Sequence, residues 1–129
     1  MTQEITVVAR IKAKVGHEET VAAAMVACVP ESRAEATNFQ YVPNRDLDDP
    51  QVFYFIERWA SREALQEHME TPHFKKLADS LKDSVAEPLR VNILQQLVDK
   101  NARALGRRLL LLTKKGGGLC GPTPFAMSL

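Results

Sequence analysis

The segment ERWASREALQEHMETPHFKKL, residues 57–77, sets His68 and His73 on either side of a Thr71-Pro72 step. Imidazole titrates near neutral pH, so each ring could move a proton, orient an anion or bind a metal ion. His68 follows Leu65 by three residues, which places it beside the apolar stripe of a helix facing a sheet. It is a candidate acid–base group there, or a histidine satisfied at the edge of a core. His73 falls in the first turn after Thr-Pro, where the helix dipole disfavours its charged form, and reads as bracing for a helix junction. A shared metal site is not expected, because the Thr-Pro break takes the two rings off a common helical face. There is also no HxH, HxxxH or neighbouring cysteine to complete a ligand set.

Upstream, Glu57 and Trp59 lie on one side of an extended run with Phe53 and Phe55. Trp59 is expected in a core, an interface or a pocket wall. Glu57 is expected to anchor a hydrogen-bond network, to pair with Arg33 or Arg58, or to accept a proton if burial raises its pKa. Tyr41, Asn38 and Asn92 are polar groups on predicted strands, where burial demands a partner and a ligand could be one. Ser32 has no identifiable His and Asp partners, which leaves a serine hydrolase unsupported. The chain has no GxGxxG, P-loop, CxxC or HExxH motif.

The elements that position these residues are legible from hydrophobic period. Residues 4–13 alternate, with Ile5, Val7, Ala9 and Ile11 on one side, as in a strand ending near Gly16. Val21, Ala24, Met25, Cys28 and Val29 then recur as an amphipathic helical stripe, which Pro30 should kink or end. Residues 38–45 and 51–60 read as strands separated by the turn-rich DLDDP. The second carries apolar residues on both sides, so both of its faces should be covered. Ser61 is expected to cap one helix and Thr71-Pro72 to open another, which carries Phe74, Leu77, Ala78, Leu81 and Val85. The run LRVNILQQLV alternates as a last strand. This order gives an α+β fold of the ferredoxin-like split β-α-β kind, an antiparallel sheet with helices on one face. The economical cover for the other face is the same sheet of a second chain, giving a two-fold dimer.

The chain has 129 residues, 45% of them hydrophobic and 26% charged, which fits one globular domain. Its net charge of +1 conceals an asymmetry. Residues 1–100 hold 12 basic and 16 acidic residues, while residues 101–129 hold 5 basic and none acidic. An acidic main part without a basic stripe argues against nucleic acid. No apolar run is long enough for a signal core or a membrane span, so a soluble cytoplasmic protein is expected. Cys28 and Cys120 are too few for a disulfide framework, and Cys28 reads as a buried thiol. Five of the six glycines fall in the tail. A domain over residues 1–99 is therefore expected, with 100–129 an atypical extension, disordered or not native to the fold.

The pattern Glu57-x-Trp59, Leu65, His68, Thr71-Pro72-His73-Phe74, with Tyr41 and the NIL of the last strand, resembles the antibiotic biosynthesis monooxygenase family of dimeric α/β barrels. The resemblance covers roughly residues 4–98. It implies oxygenation of a quinol, anthrone or similar polycyclic phenol by dioxygen with no flavin, haem or metal cofactor, in a homodimer joined through the sheet face. Such a substrate, once deprotonated, can reduce dioxygen itself, so the protein must bind the anion, hold oxygen beside it and exclude water. On this reading His68 and Glu57 handle protons, and Trp59, Tyr41, Asn38 and Asn92 contact the substrate. Family members acting on small enolisable carbonyl compounds imply an isomerase as the alternative, and a non-catalytic dimeric binding module is the third. The haem-degrading branch of this fold uses an asparagine on the first strand, which ITVVARIKA lacks.

Overall fold

A computed structural model describes residues 3–98. The expectation for 100–129 lies outside the described residues. The chain runs β1 (Ile5–Lys12), α1 (Glu18–Ala27), α2 (Val29–Ala34), β2 (Asn38–Arg45), β3 (Val52–Trp59), α3 (Arg62–Met69), α4 (Pro72–Leu81) and β4 (Arg90–Leu94). The four strands form one antiparallel sheet in the order β2-β3-β1-β4, the expected ferredoxin-like arrangement.

Alternation along the strands sorts side chains between two faces. Ile5, Val7, Ala9 and Ile11 of β1 and Phe53, Phe55, Glu57 and Trp59 of β3 are buried with Val21 and Met25 of α1, Leu65 of α3 and Leu77 and Leu81 of α4. The helices thus cover the face that carries Glu57 and Trp59. On the opposite face, Val42, Ile56, Val8 and Asn92 form one row across the strands, because Val42 and Val8 pair with Ile56 and Asn92 pairs with Val8.

The turns follow the chemistry of their residues. Gly16 takes φ of 91°, a backbone region that disfavours side chains, in the turn between β1 and α1. The long amphipathic stripe is interrupted one residue before Val29, and Pro30 sits in the first turn of α2, where its missing N–H is no loss. Ser61 accepts from the Ala64 N–H at 3.1 Å, capping α3 as expected. One expectation shifts: Ala78 lies on the exposed side of α4, the helix stops at Leu81, and Val85 forms an isolated bridge with Ala13. No helix among the described residues is long and apolar enough to cross a membrane.

Candidate active site

The helix-facing row Tyr41, Glu57 and Val7 is fixed by strand register, since β2 and β1 each place a residue opposite Glu57. Above this row lies His68, 1% exposed, on the inward face of α3 with Ala64 and Leu65. Its ring centroid is 4.5 Å from that of Trp59, 5.3 Å from Tyr41 and 5.2 Å from Phe74. The imidazole therefore sits inside an aromatic shell. Burial pushes its pKa down, with the adjacent Glu35 carboxylate opposing the shift.

The Thr-Pro step brings the two histidines together instead of separating them. Thr71 donates to the His68 carbonyl at 2.6 Å and accepts from the Phe74 N–H at 3.2 Å, tying the end of α3 to the start of α4. His73, in the first turn of α4, then faces His68, with centroids 5.7 Å apart. Between them stands Glu35, whose Oε2 lies 2.7 Å from His68 Nδ1 and 2.7 Å from His73 Nε2. Sequence reasoning missed Glu35. It sits where α2 ends and the backbone turns extended toward β2, and neither motif nor period connects ESRAEA to residues more than thirty positions downstream. Three potential ligand atoms from Glu35, His68 and His73 lie within 4.8 Å of one another, so the premise that the break parts the rings does not hold. Two histidines and a carboxylate can serve a divalent transition ion. Here both nitrogens sit at hydrogen-bond distance from one shared oxygen.

His68 Nε2 is the one buried side-chain polar atom among the described residues with no hydrogen-bond partner. A buried nitrogen in that state is costly in a core and suited to a ligand.

Glu57, 5% exposed, pairs with neither Arg33 nor Arg58. Its Oε1 accepts the Trp59 indole N–H at 2.7 Å, whereas Arg33 donates to the Tyr41 carbonyl and Arg58 to Glu4. Burial raises the Glu57 pKa to about 7, opposed by the Trp59 hydrogen bond and reinforced by the charge of Glu35. Two buried titratable groups thus flank one tryptophan.

Of the other expected contacts, Tyr41 shares the shell around His68, whereas Asn38 and Asn92 do not. Tyr41 is 1% exposed and its hydroxyl donates to the Cys28 thiol at 3.5 Å; burial holds that phenol well above its usual range. Cys28 is buried, as its stripe position implied. The Asn38 amide donates to the carbonyls of Gln40 and Arg58, closing the irregularity in the β2–β3 register. Asn92 is exposed on the face opposite His68 and is not brought to this cluster. A separate open cleft of about 420 Å³ is lined by Gln3, Ile5, Ser61, Arg62, Ile93 and Leu94, among others, and by none of the buried cluster. Ile5 is the strand partner of Trp59, the point where cleft and cluster come nearest in register.

Comparison with known proteins bears on this arrangement. The profile of the family described as antibiotic biosynthesis monooxygenase matches residues 4–80. YcnE of Bacillus subtilis, provisionally named a monooxygenase, is 31% identical over 87 residues, which cover 67% of this chain and 92% of that protein. The uncharacterized protein sll1783 of Synechocystis sp. is 30% identical over 89 residues; the match takes in 69% of this chain but only 60% of that relative's length. The crystal structure of PA3566 from Pseudomonas aeruginosa is similar with a TM-score of 0.71 and 33% identity, over 76% of this chain and 98% of that one. Fold, motif and profile agree, and the chain belongs to the antibiotic biosynthesis monooxygenase family.

Proposed function

We propose that the protein is a cofactor-independent monooxygenase that oxidises a quinol, anthrone or similar polycyclic phenol with dioxygen. The observation that carries this reading is His68 Nε2: a buried, unpartnered nitrogen inside a shell of Trp59, Tyr41 and Phe74. Family membership and the provisional name of YcnE support the same class. In this mechanism Nε2 takes the proton from the substrate, and the resulting electron-rich anion reduces dioxygen directly. One oxygen atom enters the product and the other leaves as water, with all four electrons and both of the water's protons supplied by the substrate. The aromatic walls keep water from the reactive anion. Because His68 is 1% exposed, the shell must part to admit a ring. Two chains joined through the open sheet faces complete the assembly, and the protein works in solution in the cytoplasm.

Oxygen uptake by metal-chelated, flavin-free protein tests the proposal, using a panel of hydroquinones and anthrones with heat-denatured protein as the blank. Saturable uptake in the wild type, lost in folded His68→Ala, is the expected result. Uptake indifferent to His68→Ala would remove the proposed base and leave the reaction class. Glu57 favours a second reading, since a carboxyl group with a pKa of about 7 near a neutral histidine can carry protons both ways. An isomerase of a small enolisable carbonyl compound would use both groups without oxygen. Solvent deuterium entering the carbonyl-adjacent carbon, with no oxygen consumed, would establish it. Absence of both activities across the panel would favour a binding module.

A further inference from the structure

We infer that Glu35 is the positioning residue of this site: its one shared oxygen holds His68 and His73 in opposite tautomers, leaving His68 Nε2 bare to accept a proton. The inference rests on the reading of His68 as the proton acceptor, and it adds a residue that neither the motif nor the helical stripe contains. A carboxylate only accepts hydrogen bonds. Glu35 Oε2 is 2.7 Å from both rings, so His68 donates from Nδ1 and His73 donates from Nε2. In a neutral imidazole the second nitrogen is then a lone pair. For His68 that nitrogen is the buried, unpartnered Nε2 turned into the aromatic shell.

Three elements converge to build this contact: the end of α2 supplies Glu35, the last turn of α3 supplies His68, and the first turn of α4 supplies His73. His73 is thereby more than bracing for a helix junction. Its N–H holds the carboxylate in place while the same oxygen holds His68. When Nε2 takes a proton, the imidazolium would stand almost wholly buried, and among the described residues Glu35 is the one carboxylate in hydrogen-bond contact with it. The other titratable groups facing His68 are His73 from α4, Tyr41 from β2 and, across Trp59, Glu57 from β3. None of these supplies a fixed negative charge at the ring: Tyr41 is a neutral phenol hydrogen-bonded to Cys28, and Glu57 is held by the Trp59 indole.

Imidazole nitrogen spectra of the full chain test this without turnover. The expected wild-type pattern has His68 protonated on Nδ1 and bare on Nε2, and His73 protonated on Nε2. In Glu35→Gln the amide oxygen can still accept from both rings but carries no charge, so the protonation midpoint of His68 should move to lower pH, whereas Glu35→Leu removes the acceptor and should release both tautomers. Where uptake is measurable, Glu35→Gln should lower kcat on the order of a hundredfold, the scale of a misplaced general base, with KM changed less than twofold. A wild-type His68 protonated on Nε2 would overturn the inference, as would an unchanged midpoint in Glu35→Gln or unchanged tautomers in folded Glu35→Leu. The wild-type spectrum decides even where the variant does not fold. If the tautomers are as expected and His68→Ala still consumes oxygen at full rate, the Glu35 assignment stands and the proposed base fails.

Discussion

At the scale of single residues, Glu57 is where burial and chemistry pull hardest against each other. Its carboxyl group titrates near 4.5 in an unfolded chain and at about 7 in the fold. Below pH 4.5 both states are protonated, and this group leaves folding unaffected. Between 4.5 and 7 the unfolded chain releases a proton that the folded chain keeps, so stability falls as pH rises and levels off above about 7. A displacement of this size corresponds to roughly 3–4 kcal/mol at most, an upper bound because water reaching the carboxyl group would relax it. His68 acts in the other direction, since its lowered pKa costs stability as pH falls through the unfolded histidine value near 6.5. The two can be separated with Glu57→Gln, whose amide oxygen can still accept the Trp59 N–H. Thermal melts from pH 5 to pH 8 should show wild type losing stability relative to Glu57→Gln as pH rises. A constant difference across that range would mean that the carboxyl group ionises freely in the fold.

At the scale of elements, the junction of α3 and α4 sets the site, and Thr71 is its joint. Its hydroxyl caps α4 through the Phe74 N–H and at the same time donates to the His68 carbonyl at the end of α3. Thr71→Ala removes both bonds and should cost about 1–2 kcal/mol in chemical denaturation, the range for losing an N-cap together with a second hydrogen bond. Thr71→Ser keeps the hydroxyl and should lie close to wild type; equal loss in both variants would assign the effect to the methyl group instead. This cap was legible in the sequence because Thr-Pro is a local signal, as was Ser61 at the start of α3. Strands were legible for the same reason: a two-residue period in ITVVARIKA and VFYFIERW sorts faces without knowledge of the partner strand. Which residues meet across elements was not local. His68 could be placed beside a stripe, yet its partner Glu35 lies on the loop after α2, and only the packing of α2, α3 and α4 brings the carboxylate to both rings. Asn92 shows the converse. Alternation in the last strand puts Ile93 on the helix side, and with it Asn92 on the opposite side from His68, so its candidacy depended on a sheet face that the period alone did not identify.

At the scale of the whole molecule, the remaining question is the sheet face that the helices leave open. Val8, Val42 and Ile56 stand in register across three strands, each half-buried, with Leu94 44% exposed on the edge strand. Phe39, 50% exposed, lies under the guanidinium of Arg58, 5.8 Å from the ring centroid. Around this apolar row stand Arg10 and Arg58, each already paired with a glutamate, so the charges beside the row are partly neutralised within the chain. A small domain with such a face lowers its exposed apolar area by burying it against a copy of itself, and a two-fold axis lets the same row serve both chains. Ile56 is at the centre of that row, flanked by Val8 and Val42, and its side chain is not part of the buried helix-side core. Ile56→Lys should therefore leave the fold intact while placing two like charges against each other across the axis, which is strongly unfavourable once water is excluded. Sedimentation should show wild type at twice the 14.4 kDa chain mass and Ile56→Lys at the mass of one chain, with the near-ultraviolet signal of Trp59 unchanged. A monomeric wild type would remove the sheet-to-sheet dimer. A variant still at twice the chain mass would move the interface to another surface; in either case the contacts of Glu35 with His68 and His73, all within one chain, are unaffected.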